Sequence, residues 1–203
     1  MRMFVALVPP EEAVEHLDEF LAVRRDAAPF RWTLAEQLHV TLAFLASVPD
    51  RRLDELVERL RRAAARRTPV TTAVAGGGAF PDAARARVLW AGLELDAAGR
   101  TEVSRMATGA RAAAAKAGIE VGGQRFRPHL TLARLKRPQD VTRWVQLLDG
   151  YRGPAWTTGQ YALVASHLGE GPRNRPRYER VETFPLGRSA GPPDLSARRP
   201  TAT

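Results

Sequence analysis

Apolar positions along this chain switch between two spacings, and the switches mark out its elements. Met3 to Val8 is a short apolar run with β-branched and aromatic residues, which predicts a strand. Pro10 then opens a helix: Glu11 and Glu12 suit the positive end of its dipole, and Val14, Leu17 and Leu21 share one face. Leu38 to Leu45 predicts another strand. Asp50 is placed to cap a helix in which Leu53, Leu56, Val57 and Leu60 follow i, i+3, i+4, i+7 spacing. The stretches "VTTAVAGGGAF" and "RVLWAGLEL" read as two strands joined at Pro81-Asp82, with a bulge or a flexible point at Gly76 to Gly78. Ala97 to Ala117 predicts a helix that Gly118 ends.

The same order then recurs. Leu130 to Leu135 predicts a strand, and Val141 to Leu148 a helix with Trp144, Val145 and Leu148 on one side. "YALVASHLG" and "YERVETFPL" predict two more strands, separated by a loop "EGPRNRPR". The fold class expected is α+β: two pseudo-symmetric lobes, each an antiparallel sheet with outer helices, and a cleft between them. Residues 1–187 are expected to form one bilobal domain. Residues 188–203 lack an apolar period and are expected to be a disordered tail.

Two of the predicted strands carry nearly the same phrase, "LHVTLAFL" and "PHLTLARL", and these use two of the four histidines. Alternate residues of a strand share a face, so His39 and Thr41 point one way while Val40 and Leu42 point the other. His129 and Thr131 stand in the same relation to Leu130 and Leu132. Two such strands brought together across a pseudo-twofold axis would place two imidazoles and two hydroxyls around a common centre. Imidazoles titrate near neutral pH, so the pair can divide the work of general base and general acid. The hydroxyls can donate to the oxygens of a phosphate held between them. In-line displacement at phosphorus needs a base and an acid on opposite sides, and this arrangement supplies both.

The copies differ five residues after the histidine, where the first has Phe44 and the second Arg134. Arg134 could offset charge in the transition state, and Phe44 could stack on a base or pack. Five is an odd step, so a regular strand would turn Arg134 away from His129; the strand must bulge or end near Ala133. His16 on the first helix and His167 near a strand end are not expected to take part.

Composition changes this picture little. A chain of 203 residues, 44% hydrophobic, can bury one sizeable core or two small lobes. With no cysteine there is no disulfide and no thiolate nucleophile, and neither motif histidine has a partner at metal-binding helical spacing. No cofactor and no metal are expected. No stretch approaches a membrane span, and the N-terminus reads as a strand rather than a signal, so the expected location is cytoplasmic. The glycines of "AGGGAF" are not followed by the Lys-Ser/Thr and helix of a phosphate loop. A net charge of +9 suits a polyanionic partner, although the Arg- and Ala-rich helices of a GC-rich genome account for it equally.

The paired motifs resemble those of the two-histidine phosphoesterase superfamily, and the flanking segments sharpen the likeness. "RMFVALVPPEE", "RWTLAEQLHVTLAFL", "GGGAFPDAARARVLWAGLE", "FRPHLTLARL" and "SHLGEGPRNRPRYERVETFPL" are similar to the RNA 2′,3′-cyclic phosphodiesterases, also known as 2′-5′ RNA ligases. Ala46 departs from the glycine expected there. The resemblance implies hydrolysis of a 2′,3′-cyclic phosphate at an RNA 3′ end to a 2′-phosphomonoester, with weak reversible 2′-5′ ligation. It implies His39 as proton donor to the departing 3′ oxygen and His129 as the base on water. Thr41 and Thr131 would hold the phosphate oxygens, and Arg134 would add positive charge. The implied partners are RNA ends, tRNA fragments among them, met by a monomer. Two alternatives stay open: a phosphodiesterase for another cyclic or 2′-5′ nucleotide ester, and a non-catalytic module that binds RNA ends.

Overall fold

The computed structural model describes residues 1–123, 125–172 and 175–187. In chain order the elements are β1 (Met3–Leu7), α1 (Glu11–Ala22), β2 (Arg31–Trp32), β3 (Val40–Leu45), α2 (Leu53–Ala64), β4 (Val70–Phe80), β5 (Ala86–Glu94) and α3 (Ala97–Lys116). They continue with β6 (Leu130–Gln139), α4 (Thr142–Asp149), β7 (Trp156–Thr158), β8 (Gln160–Gly171) and β9 (Arg175–Pro185).

Every strand pairing is antiparallel, and the strand order is β7-β4-β5-β6-β3-β1-β8-β9, with β2 added to β6. The order is symmetric about the β6–β3 contact. On either side of it come β5 and β1, then β4 and β8, so the fold is α+β with two like lobes. Each lobe nevertheless draws on both halves of the chain. β1 and β3 lie with β8, whereas β5 and β6 lie with β4. The repeat is a β-α-β-α-β unit whose last strand crosses to the opposite lobe, β4 in the first copy and β8 in the second.

β3 and β6 pair only at Val40 and Leu130 and then diverge, which opens the cleft. Behind the sheet lies one continuous apolar core, where α1 buries Leu17 and Leu21 and α2 buries Leu56 and Leu60. Each fully buried leucine contributes about 1.5–3 kcal/mol. α3 shows how its ends are set. The Asp96 carboxylate accepts from the Gly99 N–H at 2.6 Å, the buried face runs through Val103, Met106, Ala107, Ala110 and Ala114, and Gly118 (φ +73°) ends it. A smaller apolar group of Phe4, Ala6, Ala162 and Val164 faces the cleft from β1 and β8.

Two expectations need correction, and two short strands were not foreseen. Asp50 does not cap α2; it begins a 3₁₀ turn, Asp50–Arg52, closed by Arg52 N–H on Pro49 O at 2.9 Å, and α2 follows directly. Most of "EGPRNRPR" is not loop, because β8 runs to Gly171 and β9 starts at Arg175, opposite it. Arg177 joins Glu170 at 2.8 Å and Glu179 at 3.2 Å, so the polar residues that read as loop pair across a hairpin. β2 and β7, two and three residues long, were too short to show in the pattern. The expected tail, 188–203, lies outside the described residues.

Candidate active site

The two motif strands meet at their histidine ends. Antiparallel register carried one residue either side of the Val40–Leu130 pair sets His39 across from Thr131, and Thr41 across from His129. Val40 and Leu130 are buried against the helices, so these four residues stand on the cleft face.

Both strands then bulge at the same point. β6 pairs Leu89 with Ala133 and Trp90 with Thr131, skipping Leu132, and β3 pairs Val5 with Ala43 and Ala6 with Thr41, skipping Leu42. Two consecutive side chains go into the core in each copy, Leu42 with Ala43 and Leu132 with Ala133. The parity flips, and Phe44 and Arg134 come back to the cleft beside Thr41 and Thr131. On β6 the carbonyl of the skipped residue is not stranded, since Leu132 O accepts from the Thr33 N–H at 2.8 Å. β2 then takes up the edge of β6 that β3 leaves, pairing Arg31 with Arg134.

The imidazoles are oriented alike by groups that no motif displays. Nδ1 of His39 donates to the Gln37 carbonyl and Nδ1 of His129 to the Arg127 carbonyl, each at 2.7 Å. A carbonyl can only accept, so Nδ1 carries a hydrogen in both rings and Nε2 is the nitrogen left to exchange a proton. Phe4 stacks on His39 at 4.4 Å and Tyr178 meets its edge at 5.6 Å. His129 lies between Phe80 at 5.0 Å and Trp90 at 5.9 Å. Trp90 fits because Gly78 faces it: a Cβ there would collide with the six-membered ring. Gly76 (φ +68°) forms the bulge expected in this glycine run.

Electrostatics favour the uncharged rings. Burial brings the His39 pKa down from 6.5 to about 4; the bond to Gln37 opposes this, and His129 and Arg134 add to it. Burial also lowers His129, again against its backbone bond, with Arg134 and Arg127 adding to the depression. Each histidine is thus within electrostatic reach of Arg134, and His39 feels His129 directly.

The cleft holds a cavity of about 580 Å³ lined by His39, Thr41, Phe44, Thr131 and Arg134. His129 is not among its lining residues and lies against Phe80 and Trp90. Arg2, Arg31 and Arg175 also line it, with Phe4, Trp32 and Tyr178, and no carboxylate among the described residues does. The sequence reading missed these arginines. Nothing distinguishes them from the chain's other cations until the fold gathers them. His16 and His167 stand elsewhere: His16 Nδ1 is 2.8 Å from the Tyr151 hydroxyl, and His167 faces Glu179 at 3.1 Å. Among the described residues no group of three His, Asp or Glu side chains could hold a metal ion. Among the described residues no helix is long and apolar enough to cross a membrane.

Comparison with known proteins identifies the family. The family model described as LigT like Phosphoesterase matches residues 7–90 and 93–173. An RNA 2′,3′-cyclic phosphodiesterase of Thermus thermophilus is 31% identical over 192 residues, covering 92% of this chain and 90% of the relative. A relative of the same name from Geobacillus stearothermophilus is 27% identical over 94% of this chain, which spans 58% of that longer protein. Among solved structures, TT0787 of Thermus thermophilus superposes with a TM-score of 0.74 at 30% identity, covering 93% of this chain and all of the other. LigT of E. coli in apo form gives 0.73 at 25% identity, over 92% of this chain and 98% of its own. With that match running through both motif strands, the chain belongs to the LigT-like phosphoesterases.

Proposed function

We propose that this chain hydrolyses 2′,3′-cyclic phosphates at RNA 3′ ends to 2′-phosphomonoesters, without a metal, by acid–base catalysis between His39 and His129. The observation that carries the reading is the matched pair of imidazoles, each held with Nε2 unengaged among the described residues, across a single strand pair that also presents Thr41 and Thr131. The names of the relatives support the substrate, and LigT of E. coli has been crystallised with 3′-AMP.

The cyclic phosphate sits over the Val40–Leu130 pair. Thr41 and Thr131 donate hydrogen bonds to its non-bridging oxygens. His129 Nε2 takes a proton from water as the water oxygen attacks phosphorus. The P–O3′ bond breaks, and protonated His39 gives its Nε2 proton to the departing 3′ oxygen. Arg134 balances the negative charge that builds on the oxygens. His39 is held neutral in the free protein, so it must take up its proton as the anionic ester arrives, whose charge raises the ring's pKa. An RNA 5′-hydroxyl in place of water undergoes the same displacement, losing its proton to His129 as the P–O3′ bond breaks, and forms a 2′-5′ linkage; the reverse of that step returns the cyclic end.

The lowered pKa of His39 favours one second reading, in which His39 is the base and His129 the acid. Product identification separates them. A cyclic-ended oligonucleotide should yield the 2′-phosphate, with the rate unchanged by chelator. Accumulation of 3′-phosphate would exchange the two roles for an ester seated the same way. An intact cyclic end after prolonged incubation would overturn the function.

A further inference from the structure

Hydrolysis as described uses one arginine, Arg134, yet the cavity has others. Arg2 precedes β1, and its guanidinium lies 4.6 Å over the ring of Phe44. Phe44 is the residue that the first motif carries where the second carries Arg134, and the paired bulges bring both to the cleft. The cation missing from the first motif is therefore supplied by the residue just before the neighbouring strand, held on the face of the residue that replaced it.

Two further observations show that these charges converge. The Tyr178 hydroxyl, whose pKa burial raises, is opposed in that shift by Arg134 and by Arg2, so both reach the same point of the cavity. Arg175 lines the same space, and its Nη1 is buried with no hydrogen-bond partner among the described residues. A buried guanidinium N–H without an acceptor is costly and is satisfied by an anionic ligand. Arg2 has no carboxylate partner among the described residues either. A cavity of about 580 Å³ is larger than one phosphate needs, and its aromatic walls, Phe4, Trp32 and Tyr178, suit nucleobases.

We propose that Arg2 and Arg175 form a second phosphate subsite, so that the preferred substrate carries a phosphodiester next to the cyclic end. This rests on the function proposed above and deepens it: the substrate is an oligonucleotide end rather than a cyclic mononucleotide. Arg134 serves the reacting phosphate. Arg2, seated on Phe44, serves its neighbour.

The test compares three esters on the full chain: a cyclic mononucleotide, a dinucleotide with a cyclic end, and the same dinucleotide with an uncharged methylphosphonate linkage. The charged dinucleotide should exceed the methylphosphonate in kcat/KM by about tenfold, as expected for one charge-assisted contact of about 1.5 kcal/mol. Its log–log salt dependence should be steeper than that of the methylphosphonate by about 0.7, the value for one neutralised single-strand phosphate. In Arg2→Ala the ratio between the two dinucleotides should collapse towards one, and Arg2→Lys should restore part of it. Because both dinucleotides are measured on the same variant, partial misfolding cancels from the ratio. Equal efficiency on all three esters, or an unchanged ratio in Arg2→Ala, overturns the subsite alone. Failure to hydrolyse any of them overturns the function beneath it.

Discussion

Each motif histidine works through a nitrogen chosen by the backbone. With Nδ1–H held by a carbonyl two residues back, the ring cannot turn its other nitrogen away without losing that bond. His39→Ala and His129→Ala should each lower kcat by at least about 10²-fold, the scale of a positioned acid or base, with little change in thermal stability. Steady-state kinetics beside a melting curve checks this, and full activity in either variant removes that ring from the mechanism. His39 also makes a pH signature. In the unfolded chain it binds its proton near 6.5, but in the folded chain only near 4. Between those values the unfolded state holds the extra proton, so stability present above pH 6.5 is lost as pH falls towards 4. Melting temperature followed over that range should fall in the parent, and less steeply in His39→Ala. Equal slopes would mean that the ring is as easily charged in the fold as out of it. The identity of both histidines, both threonines, Arg134 and Phe44 as cleft residues could be read from the repeated phrase. The carbonyls of Gln37 and Arg127 could not, since every residue has one and only the turn before the strand aims it.

At the scale of elements, the bulges matter most. The odd spacing from His129 to Arg134 required one, and β6 has it at Leu132–Ala133; β3 has its twin at Leu42–Ala43. A one-residue step flips every later side chain to the other face, so without the bulge Arg134 would enter the core. The "AGGG" run of β4 has a reason of the same kind. Gly78 leaves the space that Trp90 occupies beside His129, and Gly77 does the same for Leu148. Gly78→Ala should therefore cost about 1–3 kcal/mol of stability through overpacking and also lower activity by shifting Trp90 against His129. Denaturant melts with kinetics measure both, and a variant with parental stability would show that the ring moves aside freely. The sequence marked the glycines as a bulge or flexible point, and the close approach of Trp90 stayed hidden because the two strands meet only in the sheet.

Across the whole molecule, the crossing of β4 and β8 between lobes ties each lobe to both halves of the chain. Separating the two sequence repeats would break the pairings of β4 with β5 and β8 with β1, while the lobes themselves meet at the Val40–Leu130 pair, so the cleft is framed by strands that neither repeat could hold alone. Gln37 adds a link within the lobe that holds β3 and β9: its carbonyl orients His39 while its side-chain amide donates to Pro176 O of β9 at 2.7 Å. Four arginines around one cavity repel one another, which lowers stability and readies the space for an anion. What was legible in the linear chain was what local rules govern: the period of each strand, the shared face of His and Thr, and the duplication that made the pattern more than chance. The tertiary structure alone decided which carbonyl meets which ring, how far burial suppresses the imidazole charge, and which of 31 basic residues surround the cleft. Those properties depend on residues brought together from distant parts of the chain, and side-chain periodicity carries no information about such neighbours.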